Sequence, residues 1–208
     1  MKIVGILLAS GESKRMGKTK QLLPWKNSTI LGTIIETLKE VDLDKVYIVL
    51  GHEKEKILEN INSQLTERFE VIFNNNYKKG MLTSVQEALK RISDNFYGFV
   101  IFLVDQPFIK KETINKFIDR VKLKDYPIVV SCYKKERGHP TFISLELKEK
   151  VLSLDPEKEG LREIIYDLRN KNLVLDFETN DEDVIKDIDT FEDYLKEKEA
   201  HNAWIWDI

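Results

Sequence analysis

The stretch Ile3-Val4-Gly5-Ile6-Leu7-Leu8-Ala9-Ser10-Gly11, followed at once by Glu12-Ser13-Lys14-Arg15-Met16-Gly17-Lys18-Thr19-Lys20-Gln21-Leu22-Leu23-Pro24, is an apolar run that ends in small residues and opens into a basic loop. A buried first strand of a parallel sheet has that composition. Small residues and cations at its end suit phosphates, which settle on backbone N–H groups and cationic side chains. The stretch predicts an α/β chain that handles nucleoside triphosphates. A Walker A loop is a rival reading, since Gly17-Lys18-Thr19 follows Gly11 and the apolar run 100–104 meets Asp105 in the manner of a Walker B strand. The spacing disfavours it: five residues lie between Gly11 and Gly17, one more than a Walker loop allows, and the loop itself carries Lys14 and Arg15. A G-x-G-x-x-G pattern is missing, which weakens a dinucleotide-dependent oxidoreductase.

A chain of 208 residues with 42% hydrophobic content can bury one sizeable core, so one α/β domain is expected. The net charge is −3 and the two signs are interspersed, which gives no electrostatic footprint for nucleic acid or a membrane surface. Met1-Lys2 leads straight into a short strand, so neither a signal peptide nor a spanning helix is expected, and a cytoplasmic location follows. The single cysteine, Cys132, excludes an internal disulfide framework and a cysteine-based metal cage; it reads as a small buried residue of a strand.

Strand-like and helix-like patterns alternate along the first half. Ser28 or Thr29 can cap a helix whose Ile30, Leu31, Ile34, Ile35, Leu38 and Val41 recur at helical spacing. A strand over 45–50, a helix marked by Ile57, Leu58, Ile61 and Leu65, a strand over 70–73 and a helix from Thr83 follow. The run 97–104 is almost unbroken apolar sequence, the mark of a central strand covered on both faces. Asp105 then emerges at the carboxyl edge of the sheet, where open α/β folds place ligands. In the second half, a helix over 112–121, a strand over 128–133, a turn at Gly138-His139-Pro140 leading into another strand, two short helices, strands over 173–177 and 184–188, and a last helix after Thr190 are expected. The tail over 201–208, with Trp204, Ile205, Trp206 and Ile208, is apolar enough to be expected against the core or a partner chain.

The loop resembles the L-A-A-G-x-S-x-R-M-G-x-x-K-x-L-L signature of nucleotidyltransferases, with Ser10 in place of the second alanine. With Gly80-Met81-Leu82-Thr83-Ser84, Leu103-Val104-Asp105-Gln106-Pro107, Gly138-His139-Pro140 and Asp187-Ile188-Asp189-Thr190 in this order, the chain is similar to the molybdenum cofactor cytidylyltransferases, within the MobA-like nucleotidyltransferases. The resemblance implies a Rossmann-like three-layer α/β/α domain with a mostly parallel sheet, a single domain over 1–200. It also implies transfer of CMP from CTP to the terminal phosphate of molybdopterin, with Mg2+ as cofactor, and a molybdenum hydroxylase apoenzyme as a partner. A GTP-using relative, another phosphate acceptor, or a non-catalytic protein that carries the cofactor stay open beside it.

In that frame Leu8, Ala9, Ser10, Gly11, Arg15, Lys20, Gly80, Thr83 and Ser84 hold the nucleotide. Gly11 lets phosphates approach the backbone, and Arg15 and Lys20 contact the β- and γ-phosphates and stabilise the departing pyrophosphate. Asp105 takes the metal, with Asp189, or else Asp187, as the second carboxylate. Each has a plainer reading: Asp105 as a helix cap before Pro107, Asp189 as a cap of the last helix, Thr83 and Ser84 as caps of theirs. His139 and Arg162 are the substrate-side candidates. His139 serves equally as a structural turn residue, and the acidic 155–159 stretch departs from the family's glycine-rich form, which weakens the match at Arg162. Ser10 favours cytidine over a purine by filling space and offering a hydroxyl.

Overall fold

Strand β1 (Ile3–Ala9) is buried at every position, because it pairs with parallel strands on both edges and carries helices on both faces. A computed structural model describes residues 1–158 and 160–203. After β1, the loop with its two 3-10 turns leads to a small hairpin, β2 (Pro24–Trp25) and β3 (Ser28–Thr29), and then to α1 (Ile30–Lys39). Thr29 caps α1, its hydroxyl accepting from the Gly32 N–H at 3.1 Å. There follow β4 (Lys45–Leu50), α2 (Lys54–Ile61), β5 (Phe69–Phe73), α3 (Met81–Leu89), β6 (Gly98–Leu103) and α4 (Lys111–Val121). The second half supplies β7 (Ile128–Tyr133), β8 (Glu136–Ser144), α5 (Lys148–Leu152), α6 (Leu161–Arg169), β9 (Val174–Glu178) and α7 (Phe191–Ala200).

Seven strands form one sheet in the order β5-β4-β1-β6-β8-β7-β9. All its pairings are parallel except those of β8, which runs against β6 and β7. The alternation of side chains along β1 divides the core in two. Ile3, Leu7 and Ala9 face α1, α2, α4 and α7, while Val4, Ile6 and Leu8 face α3, α5 and α6. The expected three-layer architecture with a mostly parallel sheet is what the chain adopts. Among the described residues no helix is long and apolar enough to cross a membrane.

Several local expectations are corrected. Helix α3 begins two residues before Thr83, and Leu65 lies past the end of α2. Gly138-His139-Pro140 is not a turn: it lies inside β8, with a cis His139–Pro140 bond. A glycine is needed at 138 because the Val184 carbonyl packs against its Cα, where a Cβ would stand 1.8 Å from the oxygen. The stretch expected as a strand over 184–188 is a 3-10 turn, Glu182–Ile185, followed by extended chain. No helix starts at Asp105, and the cap of α7 is Thr190, in a reciprocal capping box with Asp193. Asp105 and Asp189 are thereby freed from the capping roles open to them. Of the tail, His201 stacks on Phe108 at 4.9 Å and the Lys26 N–H donates to the Ala203 carbonyl at 3.0 Å. Trp204, Ile205, Trp206 and Ile208 lie outside the described residues.

Gly138→Ala should lower the unfolding free energy by about 1–3 kcal/mol in a urea titration, the cost of forcing a methyl into filled space. Gly11→Ala is the matched control: a Cβ there meets nothing within 4 Å, and stability should stay within about 0.5 kcal/mol.

Candidate active site

The basic loop is held open by one buried side chain. Gln21 donates from Nε2 to the Ala9 carbonyl at 2.9 Å and the Gly11 carbonyl at 3.1 Å. Ser13 Oγ accepts from the Lys20 N–H at 3.3 Å. With its carbonyls tied back in this way, the loop leaves the N–H groups of Gly11, Glu12 and Ser13 without an acceptor among the described residues. Free amides beside a surface open at Gly11 are the components of an anion cradle. The space in front of them is a cleft of about 320 Å³ whose walls include Leu8, Ser10, Gly11, Arg15, Lys20, Asp105 and Asp189.

Lys20 is the buried cation of this cleft, its side chain 9% exposed. Its ammonium lies 3.3 Å from Asp105 Oδ2 and 3.8 Å from Asp189 Oδ1, and donates to the Ile188 carbonyl. Arg15 reaches the same Asp189 oxygen at 3.0 Å from the solvent side. The structure thus gathers residues 15, 20, 105 and 189 around one point. Lys14 stands at the rim of the cleft, largely exposed and paired with Glu12. Asp105 Oδ1 is buried with no hydrogen-bond partner among the described residues. An anionic oxygen left bare is an unmet demand for a cation, so the donor set fits a hard divalent ion held by one or two carboxylates and completed by phosphate oxygens. Among the described residues no group of three His, Cys, Asp or Glu makes a metal cage by itself.

The expected nucleotide-side hydroxyls are placed otherwise. Ser10 Oγ and Ser84 Oγ share a hydrogen bond at 2.7 Å, and Asn74 Nδ2 donates to Thr83 Oγ1 at 2.8 Å and Ser84 Oγ at 2.9 Å. This network is buried, ties α3 to the ends of β1 and β5, and leaves Thr83 and Ser84 off the cleft wall. Ala9 is likewise fully buried and contributes only its carbonyl, to Gln21. Gly80, at φ 114°, makes the bend that lets α3 begin where it does. Met81 and Tyr77 line the cleft in their stead. Neither they nor Gln21 stood out in the sequence, where a methionine, a tyrosine and a glutamine carry no spacing signal.

His139 and Arg162 belong to a second, larger cleft of about 660 Å³ that shares the wall residues Met81 and Leu103 with the first. Its floor is apolar, with Ile101, Val130 and Ile165 among its residues. Asp187 lines this cleft and not the first; its carboxylate accepts from Gln106 Nε2 at 2.9 Å. Burial, and then the nearby charge of Asp105, push the Asp187 carboxyl up to about 6. Burial pushes the His139 imidazole down to about 4, so it is neutral at pH 7.

A family model described as MobA-like NTP transferase domain matches residues 5–172. The chain is similar to the molybdenum cofactor cytidylyltransferase of Escherichia coli (strain K12), at 27% identity over 94% of this chain and 95% of that protein. It is similar to the nicotine blue oxidoreductase of Paenarthrobacter nicotinovorans, at 28% identity over 91% of this chain and 93% of that protein. The crystal structure of Rv0371c from Mycobacterium tuberculosis H37Rv matches it with a TM-score of 0.80 at 26% identity, over 94% of this chain and 96% of that one.

The His139 value fixes a pH dependence of stability. Its folded pKa lies below the unfolded 6.5, so as pH falls the unfolded chain takes up the proton first. Stability should therefore drop as pH is lowered from about 6.5 towards 4. In His139→Gln that window should flatten by about 1–3 kcal/mol, read by denaturant titrations at each pH.

Proposed function

Because the chain belongs to the MobA-like NTP transferase family, we propose that it moves CMP from CTP onto the terminal phosphate of a molybdopterin-type acceptor, forming the cytosine dinucleotide and releasing pyrophosphate. The observation that carries this reading is the bare Oδ1 of Asp105 beside the buried Lys20, at the seam between a phosphate-sized cradle and a larger cleft. The similarity to a cytidylyltransferase along nearly the whole chain supports it. The cytosine dinucleotide would then pass to a molybdenum hydroxylase apoenzyme.

The triphosphate lies along the loop, its oxygens on the free amides of Gly11 to Ser13. An oxygen of the acceptor phosphate attacks the α-phosphorus from the second cleft. The new P–O bond forms as the bond to the β-phosphate oxygen breaks, in line, and the electron pair leaves with pyrophosphate. Lys20 and Arg15 neutralise that growing charge. Asp105 and Asp189 would hold a divalent ion, taken to be Mg2+, which supplies charge neutralisation across the phosphates. The acceptor phosphate reacts as its anion, so no proton has to be removed from it.

A single assay tests the reading: metal-dependent pyrophosphate release from each nucleoside triphosphate, with and without molybdopterin, with the redox conversion of nicotine blue followed alongside. Release that requires molybdopterin supports transfer. Release without an acceptor makes the protein a hydrolase, and redox turnover of nicotine blue alone would align it with its Paenarthrobacter relative. In the same assay Asp105→Ala should lower kcat by about 10² or more. Lys20→Ala should weaken triphosphate binding by about tenfold or more, and the exposed Lys14→Ala by less than about twofold. Equal losses at Lys14 and Lys20 would mean a general charge effect and no specific contact.

Base choice rests on Ser10. Its hydroxyl is committed to Ser84, so its influence is the bulk that it adds to the cradle wall, where a glycine would leave room for a purine. CTP should be preferred over GTP by at least about tenfold in kcat/KM, or about 1.4 kcal/mol. Competition between the two with molybdopterin as acceptor measures it; equal use overturns the choice of cytidine and leaves the transfer reading intact.

A further inference from the structure

The second cleft has a feature that the transfer chemistry does not use. On α6, Arg162, Tyr166 and Arg169 follow one another at helical spacing and form one wall. Tyr166 is 70% exposed, and its ring and hydroxyl have no hydrogen-bond or ring partner among the described residues. An aromatic ring standing free at the edge of an apolar floor, between two guanidinium groups, is a stacking surface. Arg137 on β8 binds Asp176 on β9 through Nε at 2.7 Å, and Arg169 approaches the other oxygen of that carboxylate at 3.7 Å. This cluster ties α6 to the edge strand β9. Neutral His139 adds no charge to the opposite wall.

We propose that Tyr166 is a specificity-determining residue of this cleft, the platform on which a planar heteroaromatic acceptor stacks, with Arg162 and Arg169 flanking the ring. This rests on the proposed function for the identity of the site as the acceptor side, and it sets the acceptor's class: a flat nitrogen heterocycle bearing a phosphate, as against a sugar or polyol phosphate. A polyol offers no π face, and the ring edge with its apolar floor would go unused.

The test uses the full-length protein and two readouts. The first is quenching of pterin-6-carboxylate fluorescence on titration with protein, which needs no catalysis. Tyr166→Ala should weaken binding by about tenfold and Tyr166→Phe by less than about twofold, since the ring is retained. The second is steady-state transfer to molybdopterin, where Tyr166→Ala should raise KM for the acceptor and leave KM for CTP within about twofold. Thermal melts of both variants should match the parent, because the side chain is largely exposed. Tyr166-dependent quenching in a protein that shows no nucleotidyl transfer would sustain the platform and defeat the proposed function. Unchanged binding in Tyr166→Ala, or ribose 5-phosphate competing as well as the pterin, would overturn the platform whether or not transfer occurs.

Discussion

A buried ammonium group has few places to go. Lys20 is nearly sealed from solvent, and the cost of desolvating its charge is met only if anions and a carbonyl surround it. Those partners come from two distant parts of the chain, the end of β6 and the approach to α7, and meet the lysine on the loop after β1. The cation is thus the point at which the fold closes. Asp105 arrives there because a central parallel strand must end somewhere, and Asp189 because Thr190, not the aspartate, caps the next helix. Gln21, the residue after the lysine, fixes the loop's carbonyls so that its amides face outward. One residue thus anchors the charge and the next shapes the cradle.

Three carboxylates crowd this region, and they are not equivalent. Asp105 and Asp189 share the lysine, while Asp187 turns to Gln106 on the other side of the chain. Without a cation in contact, the buried Asp187 holds its proton more tightly than an ordinary carboxyl. In a regular strand residues 187 and 189, two apart, would share one face. Here the segment follows a 3-10 turn, and the two acids enter different clefts.

Much of this was legible in the sequence, for physical reasons. Periodicity exposed the strands and helices of the first half because each buries one or two regular faces, and the all-apolar run before Asp105 marked the centre of the sheet. The basic loop was legible because its charges are local. What escaped depends on contacts between distant segments. Gly138 reads as a turn residue, yet its smallness answers to the carbonyl of Val184. Thr83 and Ser84 read as ligand-facing hydroxyls or caps, yet they serve an internal network whose other members, Ser10 and Asn74, come from two other strand ends. Tyr77, Met81 and Tyr166 gave no signal, because an isolated aromatic or methionine is as common in a core as at a surface.

The reversed strand β8 has a consequence for how such a protein can change. Running against its neighbours, it brings its first residues, Arg137 to His139, to the same sheet edge that the parallel strands reach with their last. The walls of the smaller cleft come from residues 8–105 together with Asp189, while those of the larger draw heavily on 130–187, with Met81 and Leu103 common to both. The chain is therefore split into two separately adjustable halves that meet at one seam. Substitutions among the larger cleft's own residues between 130 and 187 can reshape that cavity with the phosphate cradle untouched, so a new partner molecule can be accommodated without rebuilding the chemistry beside it.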